Sequence, residues 1–180
     1  MPTALGPIEV FDGDTVRLPD GRRVRLAAID TPELGRTGAD RATVRVRELL
    51  ADGVPVLVPA DPPRDRYGRL LADLELDGSS LSAVLVEEGL AWVYMASDAT
   101  LLTLQADAVD ARLGVHAVLD RWRPGPLLIS STRFHRADCP WMRRTTLSRD
   151  LTRDAAALLK RGLAPCRTCL PWPPRPGRTR

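Results

Sequence analysis

The chain has 180 residues, 44% of them apolar and 27% charged, which excludes an intrinsically disordered protein and is typical of a soluble globular one. No apolar run approaches the roughly 20 residues that a membrane span requires, so we expect no membrane partner. Residues 1–120 hold 12 Arg against 20 Asp or Glu, a net charge of −8, whereas residues 121–180 hold 13 Arg, one Lys and three Asp, a net charge of +11. This division predicts an acidic part that binds a metal cation and a basic part that binds nucleic acid.

The start of the chain does not have the pattern of a secretion signal. Such a signal opens with positive charge and continues as an unbroken apolar stretch. Residues 1–10 contain no basic residue, and Pro2, Pro7 and Glu9 interrupt them. We therefore expect a cytoplasmic protein.

Alternating apolar residues and turn signals predict strands at residues 8–11, 15–18, 23–26, 54–58 and 70–76. Apolar residues at helical spacing predict three helices: 39–50 followed by Gly53, 81–88 capped by Ser79 or Ser80 and ended by Gly89, and 98–114 capped by Asp98. Five short strands with interspersed helices predict an α+β fold built on a small barrel, rather than an alternating βαβ sheet.

The pattern loosens after this barrel. Arg123-Pro-Gly-Pro126 predicts a linker, which places one domain at residues 7–122 and a smaller unit at residues 127–171. In the smaller unit we expect a strand at residues 127–132 and a short helix that begins at Asp150 or Thr152 and ends at Gly162. The composition of residues 172–180 predicts a flexible Pro/Arg tail.

Two acidic turns come at the ends of predicted strands. In Asp12-Gly-Asp14 the glycine allows a tight turn. In Asp30-Thr-Pro-Glu33 the proline keeps the residue before it out of the helical region, which leaves the carboxylates exposed at the strand end. If the two turns meet in one sheet, their carboxylates would face a hard cation, because such ions prefer oxygen ligands.

Four motifs occur in a fixed order along the first domain: Phe11-Asp-Gly-Asp-Thr-Val16, Arg25-Leu-Ala-Ala-Ile-Asp-Thr-Pro-Glu33, Asp65-Arg-Tyr-Gly-Arg69 and Glu88-Gly-Leu-Ala91. Together they resemble the staphylococcal nuclease (thermonuclease) family over about residues 7–114. The resemblance implies an OB-type five-stranded β-barrel with flanking helices. It also implies calcium-dependent hydrolysis of phosphodiester bonds in DNA and RNA.

The resemblance implies a role for each matching acidic residue. Asp14 and Asp30 match the calcium-binding carboxylates, and Thr31 matches the residue whose carbonyl oxygen binds the same ion. Glu33 matches the carboxylate that positions the attacking water. Positioning suits this group, because a nearby divalent cation keeps the pKa of a carboxylate low and makes it a weak base.

Two arginines match the guanidiniums that bind the scissile phosphate, Arg25 and Arg69. Their paired donors suit phosphate oxygens better than a lysine ammonium does. A regular strand would place Arg25 and Asp30, five residues apart, on opposite faces. We therefore expect a bulge or a strand end between them.

Three further residues are candidates for substrate contact. Asp12 matches a carboxylate near the metal, and Tyr67 matches a tyrosine near the phosphate site, although a half-buried barrel aromatic is an equal alternative for Tyr67. Tyr94 lies near the position of a nucleotide-stacking tyrosine, with local spacing shorter by one residue.

Every cysteine of the chain belongs to one pattern, His135-x3-Cys139 followed by Cys166-x2-Cys169. Two close pairs of soft ligands are typical of a closed tetrahedral zinc site. The alternative is three buried thiols and a surface histidine. A unit of this size buries little apolar surface, so we expect zinc to contribute most of its folding free energy.

The segments Phe134-His-Arg-Ala-Asp-Cys-Pro-Trp141 and Leu163-Ala-Pro-Cys-Arg-Thr-Cys-Leu-Pro171 resemble the metal-binding module of the Ada-type DNA-repair methyltransferase. That family has four cysteines, the first of which accepts the methyl group. Here His135 takes the first place, and the resemblance therefore implies a small α/β module with structural zinc rather than methyl transfer. The arginines expected to contact phosphates, unless they form only a solvated face, are Arg136, Arg143, Arg144, Arg161 and Arg167.

The resemblance to the nuclease family implies a calcium-dependent phosphodiesterase that cleaves DNA, RNA or both, and we expect no small-molecule organic cofactor. Its basic zinc module is expected to tether nucleic acid. One alternative is a non-catalytic nucleic-acid- or protein-binding module on the same fold, and another makes the zinc unit an adaptor for a protein. The presence of all the metal carboxylates and of both arginines favours the enzyme.

Overall fold

The computed structural model describes residues 7–95, 98–121, 126–144 and 154–170, with only the backbone described at 118–121 and 143–144. Of the predicted linker at 123–126 only Pro126 belongs to these residues, and the predicted tail at 172–180 lies outside them. In the described part of the chain, no helix has the length and apolarity that a membrane crossing demands.

The first part of the chain is an α+β unit. Its strands are β1 (Glu9–Val10), β2 (Thr15–Arg17), β3 (Arg23–Leu26), β4 (Ile29–Asp30), β5 (Val56–Arg64), β6 (Leu70–Leu76), β7 (Ser79–Ser80) and β8 (Trp92–Val93). Its helices are α1 (Ala39–Asp52), α2 (Leu81–Glu87), α3 (Ala99–Asp110) and a 3-10 helix at Gly114–Arg121.

Five strands form the main sheet in the order β1-β2-β3-β6-β5, and β7 pairs with β6 at its side. Neighbours are antiparallel except β3 and β6, which run parallel with Arg25 opposite Leu71. A separate short pair joins β4 to β8, with Asp30 opposite Trp92. The α+β class and the five principal strands of the prediction are thus confirmed.

The helix ends follow from local chemistry. The Ser80 side chain accepts a hydrogen bond from the amide of Ala83 and caps α2, as predicted. Asp98 likewise accepts from the second and third residues of α3. The prediction that α3 continues to Gly114 was wrong, because Arg112 adopts φ 55° and Gly114 adopts φ 48°, a left-handed conformation that ends an α-helix.

The second part of the chain is a small α/β unit. It contains β9 (Leu127–Ile129), β10 (Arg133–Arg136), a 3-10 helix at Pro140–Arg144, α4 (Ala155–Lys160) and β11 (Ala164–Pro165). The strand predicted at 127–132 ends at Ile129, because Ser130 and Arg133 close a turn that leads into β10. The helix begins after Asp154, which caps it; the predicted starts Asp150 and Thr152 lie outside the described residues.

An apolar core connects the two parts. Trp92, Val109 and Val115 of the first part belong to the same buried cluster as Phe134 and Leu158 of the second. A larger cluster fills the space between the main sheet and helices α1, α2 and α3. The C-terminal unit is therefore packed against β8 and α3 rather than only joined to them by the chain.

Candidate active site and metal centre

The two predicted acidic turns meet. Oδ2 of Asp14 accepts hydrogen bonds from the backbone amide of Thr31 at 2.9 Å and from its hydroxyl at 3.0 Å. The amide of Leu26 also donates to the carbonyl oxygen of Asp14 at 2.8 Å. These bonds fix the start of β2 against the end of β4, which places Asp14 and Asp30 in one buried cluster.

Gly13 allows the two acidic turns to come together, but not through the backbone freedom for a tight turn that the sequence predicted. Its φ is not in the left-handed region, but a Cβ added there would lie 2.6 Å from Cβ of Ala42 and 3.0 Å from the Thr31 side chain. The absence of a side chain therefore allows the turn to approach α1 and the second acidic turn closely.

Arg25 lies between the two carboxylates. Its Nη2 atom is 3.1 Å from Oδ2 of Asp14 and 2.9 Å from Oδ1 of Asp30. The expected strand end is confirmed: β3 stops at Leu26 and Ala28 adopts φ 63° before β4 begins. One cationic nitrogen thus bridges two buried carboxylates, which shows that their oxygens lie close enough together to face a single cation.

Burial raises the pKa of Asp14 to about 6. The positive charge of Arg25 opposes this effect, whereas the negative charges of Asp12 and Asp30 add to it. Oδ1 of Asp12 also accepts a hydrogen bond from the Asp14 amide at 3.0 Å, so both carboxylates of the first turn border the cluster. Such a site favours additional positive charge.

Glu33 stands at the rim of the cluster, in a cleft that Asp30 and Thr31 also line. Its side chain is about half exposed, unlike those of Asp14 and Asp30. A carboxylate at this place can contact both the cluster and the solvent.

The second predicted phosphate-binding arginine is engaged on its own turn. Nε of Arg69 lies 2.7 Å from Oδ2 of Asp65, and its guanidinium lies 5.8 Å from the centre of the Tyr67 ring. Arg69 comes just before β6, which runs parallel to the strand of Arg25. Tyr67 is 69% exposed, so the half-buried alternative for this residue was wrong.

Two arginines of the C-terminal unit also enter the cluster. Nη2 of Arg133 lies 3.0 Å from Oδ2 of Asp30, and Nε of Arg167 lies 3.1 Å from the same oxygen. Arg167 pairs with Glu33 as well, through Nη1 and Oε1 at 2.5 Å. Arg133 stacks on Tyr94, with its guanidinium carbon 4.2 Å from the ring centre.

Sequence reasoning missed both contacts. Arg133 was not among the expected site residues, and Arg167 was expected at a phosphate-binding surface. Asp30 is 103 residues from Arg133 and 137 residues from Arg167 along the chain, and no local pattern relates them. Burial alone would lower the pKa of Arg167, but its hydrogen bond to Asp30 and the nearby acidic charges raise it, which keeps the guanidinium protonated.

The predicted zinc ligands come together. One ligand atom from each of His135, Cys139, Cys166 and Cys169 lies within 4.8 Å of all the others. Sγ of Cys139 is 3.5 Å from Nδ1 of His135 and 4.0 Å from Sγ of Cys166. Tetrahedral zinc with Zn–S bonds of about 2.3 Å would separate two sulfurs by roughly 3.8 Å, so the donor set fits this ion.

The cluster already favours a thiolate. Hydrogen bonding from the Cys169 thiol lowers the pKa of Cys166 to about 3, although burial opposes the shift. The amide of Arg136 donates to Sγ of Cys169 at 3.2 Å. Backbone donors of this kind stabilise thiolate charge around a metal.

The other predicted phosphate contacts of the C-terminal unit are only partly visible. Arg136 is exposed and its Nε lies 3.2 Å from Oδ1 of Asp138. The side chains of Arg143 and Arg144 lie outside the described residues. The tethering surface therefore stays a prediction.

Comparison with known proteins shows that the chain is similar to nucleases. A family model described as staphylococcal nuclease homologue matches residues 23–117. A micrococcal nuclease from Shigella flexneri is 34% identical over 125 residues, which cover 60% of this chain and 70% of its own length. An uncharacterized endonuclease from Escherichia coli is 35% identical over 119 residues, which cover 63% of this chain and 76% of its own. The family match ends before the C-terminal unit, whose resemblance to the Ada-type module stays a prediction.

Proposed function

Because the chain belongs to the staphylococcal nuclease family and is a hydrolase of phosphodiester bonds, we propose that it cleaves DNA, RNA or both with calcium as cofactor. The observation that carries this proposal is the nitrogen of Arg25 that bridges Asp14 and Asp30. A buried pair of carboxylates that shares one positive charge is suited to a divalent cation with oxygen ligands.

In this proposal Asp14, Asp30 and the carbonyl oxygen of Thr31 hold calcium. The hydrogen bonds from Thr31 to Asp14 support the assignment, because they keep these groups adjacent. Bound calcium would supply positive charge to the phosphate that is attacked. The raised pKa of Asp14 supports the same assignment, since a cation that binds there relieves the repulsion among the carboxylates.

Arg25 and Arg69 bind the scissile phosphate and stabilise the charge that builds on its oxygens. Arg25 is buried and held in place by its carboxylate partners, so it needs little reorganisation. Arg69 must exchange its partner Asp65 for the phosphate. Glu33 accepts a hydrogen bond from the attacking water, because it stands at the solvent side of the cluster.

The second half of the proposal concerns the C-terminal unit. His135, Cys139, Cys166 and Cys169 bind one structural zinc ion, which stabilises the small sheet and α4. The positive charge of residues 121–180 supports a role in holding nucleic acid.

The test is cleavage of single-stranded DNA by zinc-loaded protein that has been freed of calcium, with calcium then added back. We expect activity to depend on calcium and to fall at least about a hundredfold in Asp14→Asn. Asp20→Asn is the matched control, because Asp20 is exposed and pairs only with the neighbouring Arg22 among the contacts described for it. Full cleavage without calcium would contradict the proposal.

The zinc site has its own test. Elemental analysis of the purified protein should give one zinc per chain, and Cys166→Ser should lower this content. The assignment would be contradicted if the wild-type protein contained no zinc and its circular dichroism spectrum did not change when zinc was added.

A further inference from the structure

Three guanidiniums converge on one buried carboxylate. Asp30 is 1% exposed and pairs with Arg25, Arg133 and Arg167. The first of these belongs to the same domain as Asp30, and the other two come from the C-terminal unit. One carboxylate balances only one of these three positive charges; Arg25 also pairs with Asp14, and Arg167 also pairs with Glu33.

We propose that Arg133 and Arg167 are substrate-binding residues of the nuclease site. They pair with Asp30 and Glu33 in the structure, and they bind phosphate groups of the nucleic acid when calcium engages these carboxylates. The inference rests on the calcium site proposed above. It assigns to the C-terminal unit a direct part in the active site, separate from the tethering by its surface arginines.

Both arginines are held where the structure places them. Nη1 of Arg133 donates to the carbonyl oxygen of Pro165 at 2.8 Å, and its guanidinium stacks on Tyr94. Arg167 lies between Cys166 and Cys169, in a turn where the amide of Leu170 donates to the carbonyl oxygen of Cys166 at 3.1 Å, and the proposed zinc site would fix this backbone further. Side chains that are positioned in advance lose less conformational entropy when they bind a ligand.

The charge balance explains why a phosphate should bind here. The carboxylates of Asp14, Asp30 and Glu33 pair with the guanidiniums of Arg25, Arg133 and Arg167, and the carboxylate of Asp12 beside them gives the whole group a net charge of −1. A divalent cation among the carboxylates would leave the group with one surplus positive charge. A phosphate group of a nucleic acid carries the matching charge.

An alternative role for Arg133 and Arg167 is only to block the cation site. In that case both guanidiniums would lose their carboxylate partners once a cation binds. The Arg133 side chain is 16% exposed and its own contacts hold it in the cleft. An unpaired guanidinium at such a place is costly, because burial removes the water that would otherwise solvate it. Phosphate oxygens can take the place of the carboxylate oxygens and accept paired hydrogen bonds from the same donors.

The proposal predicts opposite changes in two affinities. Arg167→Ala removes a cation that competes for Asp30, so calcium should bind several-fold more tightly, as measured by isothermal titration calorimetry. The same variant should bind nucleic acid more weakly by at least about tenfold at saturating calcium, because a charge-assisted contact to phosphate is lost. The slope of log affinity against log salt should fall by about 0.7 for single-stranded DNA.

The DNA for this measurement is a single-stranded oligonucleotide in which a methylene group replaces each 5′-bridging oxygen, so that it keeps its charges and is not cleaved. Arg22→Ala is the matched control, since it removes one exposed arginine from the turn after β2. Arg133→Met gives a second variant outside the zinc-ligand loop. Zinc content is measured for every protein, and one zinc per chain shows that the C-terminal unit is intact.

Tighter calcium binding together with weaker DNA binding in both variants supports the proposal. DNA affinity and salt slope equal to those of the wild type would overturn it, even if calcium binds more tightly, because the arginines would then only block the site. Weaker calcium binding in both variants would also overturn it. Wild-type protein that fails to bind calcium would refute the calcium site itself, and this outcome is distinct from a failure confined to the arginine variants.

Discussion

The guanidinium of Arg25 satisfies two buried carboxylates and the carbonyl oxygen of Leu26 at the same time. A lysine at this position would keep the charge but could not reproduce three contacts from a planar group. We expect Arg25→Lys to stay folded while kcat for DNA cleavage falls about a hundredfold or more. Steady-state rates and thermal unfolding check this prediction.

Arg22→Lys serves as the control for that substitution, because Arg22 is exposed and pairs only with Asp20 in the contacts described for it. Its rate should equal that of the wild type. A near-normal kcat in Arg25→Lys would mean that Arg25 does not stabilise the charge on the phosphate.

His116 supplies a second prediction at the scale of the residue. It is fully buried in the 3-10 helix after α3, and neither ring nitrogen hydrogen-bonds to a group within the described ranges. Burial lowers its pKa from 6.5 to about 4. Because the folded pKa is below the unfolded one, the stability associated with His116 is complete above pH 6.5 and is lost as the pH falls toward 4.

We therefore expect His116→Leu to lose less stability on acidification than the wild type. Between pH 7 and pH 4.5 the difference should be about 2.5 kcal/mol, from the shift between the two pKa values. Urea unfolding of both proteins at each pH measures it. The titration of Asp14 occurs in both proteins and cancels in the comparison. Parallel loss of stability in the two proteins would contradict the burial of a neutral imidazole.

At the scale of elements, the site depends on how closely the first acidic turn approaches α1. A methyl group at Gly13 would lie 2.6 Å from Cβ of Ala42, an atom that cannot move aside without its helix. We expect Gly13→Ala to lower the free energy of unfolding by about 1–3 kcal/mol, as is usual for overpacking. It should also weaken calcium binding, because the turn that carries Asp14 is displaced.

Gly53→Ala is the control for this prediction. Gly53 has an extended backbone, and the one close contact of an added methyl group would be the flexible end of Leu76 at 2.9 Å, since Cβ of Leu76 and Oδ2 of Asp77 lie at the ordinary distances of 3.8 and 3.9 Å. Stability should therefore change little. Calcium affinity equal to that of the wild type in Gly13→Ala would show that the close approach to α1 does not position Asp14.

Most elements of the first domain could be predicted from local chemistry. The caps Ser80 and Asp98, the alternation in β6 and the stop at Gly89 are all properties of a few neighbouring residues. The early end of α3 could not be predicted, because it depends on the packing of Gly114 against the carbonyl group of Gly89. A Cβ atom added at residue 114 would lie only 2.2 Å from that carbonyl oxygen. Contacts of this kind arise only when distant segments meet.

The same limit applies to the candidate site. The carboxylates and Arg25 lie within motifs that the sequence displays, so their meeting could be predicted. The contacts of Arg133 and Arg167 with Asp30 could not, because they depend on how the C-terminal unit packs on the first domain. Charge composition indicated that the basic segment acts on nucleic acid, but it contained no information about this orientation.

At the scale of the whole molecule, the apolar core shared by the two parts predicts that they unfold together. Gln105 of α3 connects them further: its Oε1 accepts from the amide of Val93 at 2.7 Å, and its Nε2 donates to the carbonyl oxygen of Leu159.

Zinc removal by a chelator selective for zinc over calcium should therefore increase amide hydrogen exchange in α3 as well as in α4, because both lose packing partners. Calorimetry should show one transition for zinc-loaded protein and a lower melting temperature after zinc removal. Addition of zinc should restore both properties. Unchanged exchange in α3 after verified loss of zinc would mean that the first domain is stable on its own, and that the interface contributes position rather than stability.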